Sequence, residues 1–209
     1  MIGMAVTTIA AAMIGVIAPQ SANGCEIHVW PAAKLNTLTE GAIWNNVLDS
    51  AVTPRSGGVR ERVVPAAGPL DPEGQLHLIE SVDLPALLRV PGAQVIIHNE
   101  VARRRATGGA TGRQTNSDSK CYSELTVAKN FFNRSGLAER TLRTLFILDD
   151  YGNQPLPRRS FVAWGSTELQ IFPAKVAERE QAASEELARA FQTNTRQFAG
   201  YAFAPPRKR

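Results

Sequence analysis

The chain has 209 residues, 44% of them hydrophobic and 20% charged, and a formal net charge of +4. That is enough sequence for one domain with a proper core. There is no internal repeat and, after the first residues, no second long apolar run, which excludes a repeat array and a multi-span membrane protein.

Residues 1–24 contain no charged side chain. Met1 to Ala18 is an unbroken run of apolar and small residues, followed by Pro19-Gln20-Ser21-Ala22-Asn23-Gly24. A short apolar core with a small-residue end is the pattern of a secretory signal peptide, although the usual leading Lys or Arg is missing. Uncleaved, the same run would just span a bilayer. The expectation is export to the periplasm or the outside, with cleavage before Cys25.

The two cysteines, Cys25 and Cys121, then predict a disulfide between the start of the mature chain and the start of its main sheet. The rival reading is a lipoprotein anchored to the membrane through a modified Cys25. Gly24 suits that reading; Ala22 and the polar spacer do not.

In chain order, Glu26 to Pro31 reads as an edge strand with Ile27 and Val29 on one side. Glu40 to Asp49 reads as a short helix capped by Thr39, with Ile43, Trp44, Val47 and Leu48 as its apolar face. Thr53 to Gly58 is a loop and Val59 to Val64 a weak strand. Pro69 to Leu88 is predicted helical, with Asp71 as cap and Pro72 in the first turn, broken in two by Pro85. Ala93 to His98 is a strand.

Ala102 to Lys120 has almost nothing to bury and reads as a flexible basic loop. Within it, Gly108 to Arg113 lacks the Lys and Ser/Thr of a phosphate loop.

Cys121 to Phe172 carries the main sheet. Leu125, Val127 and Phe131 alternate, and Leu142 with Leu145 to Leu148 reads as a strand buried on both faces. Phe161 to Trp164 and Leu169 to Phe172 read as two further strands, split by a turn at Gly165-Ser166-Thr167. Pro173 to Tyr201 is the longest helix, with Ala183, Leu187, Ala190, Phe191 and Phe198 on one stripe. Residues 202–209 form a basic tail.

The basic residues concentrate in two segments. Arg103, Arg104, Arg105, Arg113 and Lys120 lie in the loop, and Arg207, Lys208 and Arg209 in the tail. They are the candidate anion-binding residues, for an anionic envelope component or a peripheral membrane contact. Nucleic acid is disfavoured because no aromatics interleave with these runs. His77 with Glu80 and Glu73, and His98 with Glu100, supply two or three polar groups each but no complete metal set, so no metal and no cofactor is expected. Asp149 and Asp150 end a buried strand, where carboxylates could do acid–base work, but neighbours on a strand point to opposite faces. Tyr122, Phe131, Phe132, Phe146, Phe161, Trp164 and Phe172 are core by default, and a binding patch if some of them face outward on an uncovered side of the sheet.

These observations predict an exported α+β domain over residues 25–201. Its sheet is mainly antiparallel, of about four to six strands, and packs on a long C-terminal helix and one or two shorter ones. The expected function is a non-catalytic envelope protein that binds or assembles with another envelope component, through the basic segments or an exposed sheet edge. The alternative is a periplasmic or secreted hydrolase with a site near His98, Asp149 and Asp150.

Overall fold

The computed structural model describes residues 24–39, 62–63, 68–102, 112–134 and 140–204. The predicted signal peptide, the helix at Glu40 to Asp49, the loop at Thr53 to Gly58, Arg103 to Arg105 and Arg207 to Arg209 all lie outside those residues.

The strands are β1 (Cys25–Trp30), β2 (Leu35–Thr39), β3 (Arg62–Val63), β4 (Gln94–Ile97), β5 (Cys121–Arg134), β6 (Arg140–Gly152) and β7 (Arg159–Glu168). The helices are α1 (Pro72–Glu80), α2 (Leu84–Leu87) and α3 (Glu180–Ala202). All strands join one sheet, organised along the long β5. On one side β6 runs antiparallel to β5, and β7 antiparallel to β6. On the other, β1 and β2 are both parallel to β5, at its start and its end respectively. β4 extends the sheet parallel to β1, and β3 pairs antiparallel with β2.

The sheet is therefore mixed, not mainly antiparallel. β1 and β2 act as two halves of one strand, interrupted at residues 31–34. Pro31 has no N–H to give to a ladder, so the chain leaves the sheet there. The partner strand is irregular in the same place, with a register shift between Val127 and Lys129. Gln75 of α1 takes over the ladder bonds that the excursion gives up. Its amide accepts from the Ala32 N–H at 2.9 Å and donates to the Ala32 carbonyl at 3.0 Å. The predicted edge strand at Glu26 to Pro31 is thus interior, flanked by β4 and β5.

Helical signals act as read in α1. Asp71 accepts from the Gly74 N–H at 2.7 Å and Pro72 opens the first turn. The break before α2 falls at residues 81–83, where Asp83 caps a new start and Pro85 sits in its first turn. α3 begins seven residues later than predicted, after a 3-10 turn at Ala177–Arg179.

The core lies between the helices and one face of the sheet. Ile27, Val29, Leu125, Val127, Leu142 and Phe146 meet Leu76, Ile79, Leu187, Phe191 and Phe198 there. β6 alternates: Leu142, Phe146 and Leu148 are buried, while Leu145 and Ile147 are only half-buried. The expectation of a strand buried on both faces is therefore corrected. No described helix covers the second face.

Gly165 is not in a turn. It is an interior strand residue, paired with Thr144. A Cβ there would sit 2.5 Å from the Asn194 Cβ and 2.6 Å from its Cα, so the absent side chain lets α3 settle against β7. Asn194 fixes that contact, donating to the Leu142 carbonyl at 3.1 Å and accepting from the Thr167 hydroxyl at 2.7 Å. One strand replaces the two predicted, and Leu169 to Phe172 is not a strand.

Candidate functional site

The face of the sheet away from the helices carries two different surfaces. Strand alternation decides which residues reach it. β1 sends Ile27 and Val29 to the core and hence Glu26, His28 and Trp30 to the other side. β5 adds Tyr122, Glu124 and Thr126 in register with them.

At this end the surface is polar but closed. His28, Trp30, Tyr122 and Glu124 are all buried. Their cover is the described part of the basic loop, residues 112–120. Ser117 donates its hydroxyl to Glu26. The Gln114 N–H donates to Glu124 at 2.6 Å. Arg113 donates to the carbonyls of Gln154, Ser117 and Gly152, and its guanidinium lies 4.6 Å from the Tyr122 ring centre. Arg113, one of the candidate anion binders, is here a strap that ties loop to sheet. Lys120, at the end of the same loop, is exposed.

The buried carboxylate at the centre is well supplied with donors. Glu124 is 0% exposed and accepts from the Tyr122 hydroxyl at 2.8 Å and the Tyr151 hydroxyl at 3.2 Å, besides Gln114. Burial and the Glu124 carboxylate together push the Tyr122 hydroxyl well above the usual phenol range, so it stays a donor. Burial works to raise the Glu26 carboxyl, but hydrogen bonds from Ser117 and His28 and the charge of Arg113 outweigh it and leave it lowered.

An ionised Glu26 fixes the role of the ring nitrogen beside it. It lies 3.1 Å from His28 Nε2, which must then carry the proton. On its other side, His28 Nδ1 lies 2.8 Å from His98 Nε2, a ring-to-ring hydrogen bond whose direction follows the tautomers. His98 stacks on Trp30 with ring centres 4.2 Å apart, and its Nδ1 faces Glu100 at 3.6 Å. Burial, then the neighbouring His28, lower the His98 pKa against the opposing pull of Glu100 and Glu124. This chain of groups holds a proton but lacks a nucleophile. Among the described residues, no hydroxyl or thiol hydrogen-bonds either imidazole, and Ser117 spends its proton on Glu26.

The three residues of the hydrolase reading are not brought together. Asp149 is buried beside Glu124 on the same face as His28, yet β5 and β1 separate its strand from β4 and His98, three strand spacings or about 14 Å. Asp150 points to the other face, where Arg158 holds it at 2.9 Å. His77 and Glu80 are exposed on α1 and 3.9 Å apart. Among the described residues no group of three or more His, Cys, Asp or Glu side chains is placed to hold a metal.

The other half of the face, over β5 to β7, is open. Cross-strand register lines up Thr126, Ile147 and Val162 in one row and Lys129, Leu145 and Trp164 in the next, with Phe131 beside Arg143 beyond. Arg143 lies over the Trp164 ring at 5.0 Å and Lys129 near the Phe131 ring at 5.8 Å. Burial lowers the Arg143 pKa. Val162 is 49% exposed. Among the described residues β7 is an edge strand, paired with β6 alone. Phe131 and Trp164 were flagged in the sequence as core or patch; the cations stacked on them carried no readable signal. The Glu26-His28-Trp30 alternation was legible as a strand face but gave no sign that its polar side would be enclosed.

Cys25 and Cys121 are register partners on neighbouring strands, Cα atoms 4.4 Å apart, and are joined by a disulfide. That bond is consistent with an oxidising compartment. None of the described helices is long and apolar enough to cross a membrane.

No family model matches the chain, and no curated protein matches it. Several solved structures are similar to it, three of which follow. The protein XCC0632 from Xanthomonas campestris, of the family DUF330, is 13% identical with a TM-score of 0.41, over 87% of this chain and 85% of that one. An uncharacterized protein is 10% identical with a TM-score of 0.38, over 86% and 92%. A PelC dodecamer from Paraburkholderia phytofirmans is 14% identical with a TM-score of 0.30, over 85% and 92%.

Proposed function

We propose that this chain is an exported, non-catalytic protein of the cell envelope that binds or assembles with another envelope protein through the open face of β5 to β7. One observation carries the reading. Leu145, Ile147 and Trp164 are half-buried and Val162 is exposed on that face, with Arg143 over the Trp164 ring and Lys129 near the buried Phe131. Such a surface suits a partner with an apolar centre, because the carbon stems of the stacked cations cover the rings and extend the apolar area. β7, which pairs only with β6 among the described strands, lies at the margin of this surface. Export is supported by the charge-free leader and by the disulfide.

A photo-crosslinking residue placed at Val162 in living cells tests this, with the same residue at Glu178 as control. The expected result is one discrete adduct with an envelope protein from Val162 alone, lost when Arg143→Ser is added. Equal adducts from both positions, or a protein retained in the cytoplasm with its leader intact, would overturn the proposal.

A further inference from the structure

We propose that the cleft at the far end of α3 is a binding site for a small organic acid, taken up with its carboxylate between Arg89 and Arg159 and its hydrocarbon body inside. The cleft lies on the helix side of the sheet, away from the open face, and has a volume of about 160 Å³. Leu88, Val90, Leu148, Phe161 and Phe203 give it an apolar lining. Three arginines stand around it, against one acid, Asp150.

Asp150 is already occupied, because Arg158 holds it with two nitrogens at 2.9 Å. Arg89 and Arg159 remain. Both lie over the Phe203 ring, at 5.0 and 5.3 Å from its centre. Among the described residues neither is paired with a carboxylate, although Arg159 gives one N–H to the Ala202 carbonyl at the end of α3. Two guanidiniums sharing one ring repel each other, and an anion between them relieves that repulsion while using their planar donor forks.

The backbone at Arg89 is a second, independent sign. α2 ends in a Schellman turn, with the Val90 N–H on the Pro85 carbonyl at 2.8 Å and the Arg89 N–H on the Ala86 carbonyl at 3.1 Å. The residue at this position must take a left-handed conformation, and Arg89 has φ 58°. Glycine is the residue that fits there without strain. An arginine held in a glycine position marks a side chain retained for what its head group does.

Size limits the ligand. A cavity of about 150 Å³ accommodates benzene, so this cleft takes a body of roughly six to eight carbons. A medium-chain fatty acid or an aryl carboxylate fits; a two-chain lipid does not.

Isothermal titration of the full chain with octanoate tests the site, with acetate and octanamide as controls for head and tail alone. Octanoate should bind, more weakly as salt rises, and each control at least about tenfold less well. Arg89→Gly should keep the melting temperature, since glycine adopts the turn freely, yet weaken octanoate at least about tenfold. Arg159→Gln should act in the same direction. Octanamide binding as tightly as octanoate, no octanoate binding at millimolar concentration, or an affinity unchanged in both variants would each refute the site.

Discussion

Gln75 closes both backbone polar groups of Ala32 with one side-chain amide, and the same nitrogen also reaches the Leu70 carbonyl at 2.8 Å. It is 0% exposed. Gln75→Leu keeps the bulk but strands those groups in the core, so we expect a loss of about 2–4 kcal/mol in urea unfolding. Gln75→Glu should not rescue, because a carboxylate can only accept and two of the three bonds need a donor. Near wild-type stability in both variants would mean that residues 31–34 find other partners.

Gly165→Ala tests the approach of α3 to the sheet. The new methyl would meet the Asn194 Cβ, Cα and carbonyl within 2.6 Å, and a helix backbone cannot rotate away as a side chain can. Overpacking of this kind costs about 1–3 kcal/mol. A thermal unfolding midpoint matching the wild type would show that α3 is not seated as described.

His98 sets a pH dependence whose sign follows from its surroundings. Its folded pKa is lowered from 6.5, chiefly by burial. The unfolded chain therefore takes up this proton more readily, and the associated stability is present above pH 6.5 and lost as pH falls through the folded midpoint. Glu26, lowered from 4.5, adds a second loss of the same sign in a more acidic window. NMR titration should place the His98 midpoint below 6.5, and His98→Gln should flatten the stability profile in the upper window. A His98 midpoint above 6.5 would show that burial does not dominate its surroundings.

The Cys25–Cys121 bond spans 96 residues of sequence. The chain-entropy model assigns a closed loop near that length about 4–5 kcal/mol through the unfolded state. The double variant Cys25→Ser/Cys121→Ser should lower stability toward that value without altering the far-ultraviolet circular dichroism of the folded form. A loss well under 1 kcal/mol would place the two strands in contact in the unfolded chain already.

The basic residues should separate into two kinds. Arg113→Gln removes three bonds to backbone carbonyls and should loosen residues 112–120, seen as faster amide exchange at Gln114 and Ser119. Neutralising Arg103 to Arg105 and removing Arg207 to Arg209 should leave stability within about 0.5 kcal/mol. It should also abolish salt-sensitive adhesion to vesicles containing phosphatidylglycerol. Adhesion that survives unchanged would remove these segments from any anion contact.

Sequence reading succeeded where local chemistry acts alone. The Asp71 cap, the Pro72 first turn, the Leu187 to Phe198 stripe and the cysteine pair all follow from spacing within a few residues or from elimination. It faltered where a distant element decides. Gly165 looks like a turn residue until the α3 backbone arrives opposite it. β2 was not read at all, because Leu35-Asn36-Thr37-Leu38-Thr39 has no period-two pattern and exists as a strand only beside the end of β5. Residues 112–120 offered little to bury by hydropathy, yet they cover Glu124 and Tyr122 by hydrogen bonding, which hydropathy does not register. The enclosed His28–His98 pair was illegible for the same reason: its members lie 70 residues apart.

β5 serves as a template for both β1 and β2, yet synthesis delivers it some ninety residues after β1. A nascent chain that stops short of Cys121 has made Ile27, Val29 and Leu35 without the strand that shelters them. Such a fragment should stay open and sticky however long it waits, and the final architecture can close only after the second cysteine has emerged.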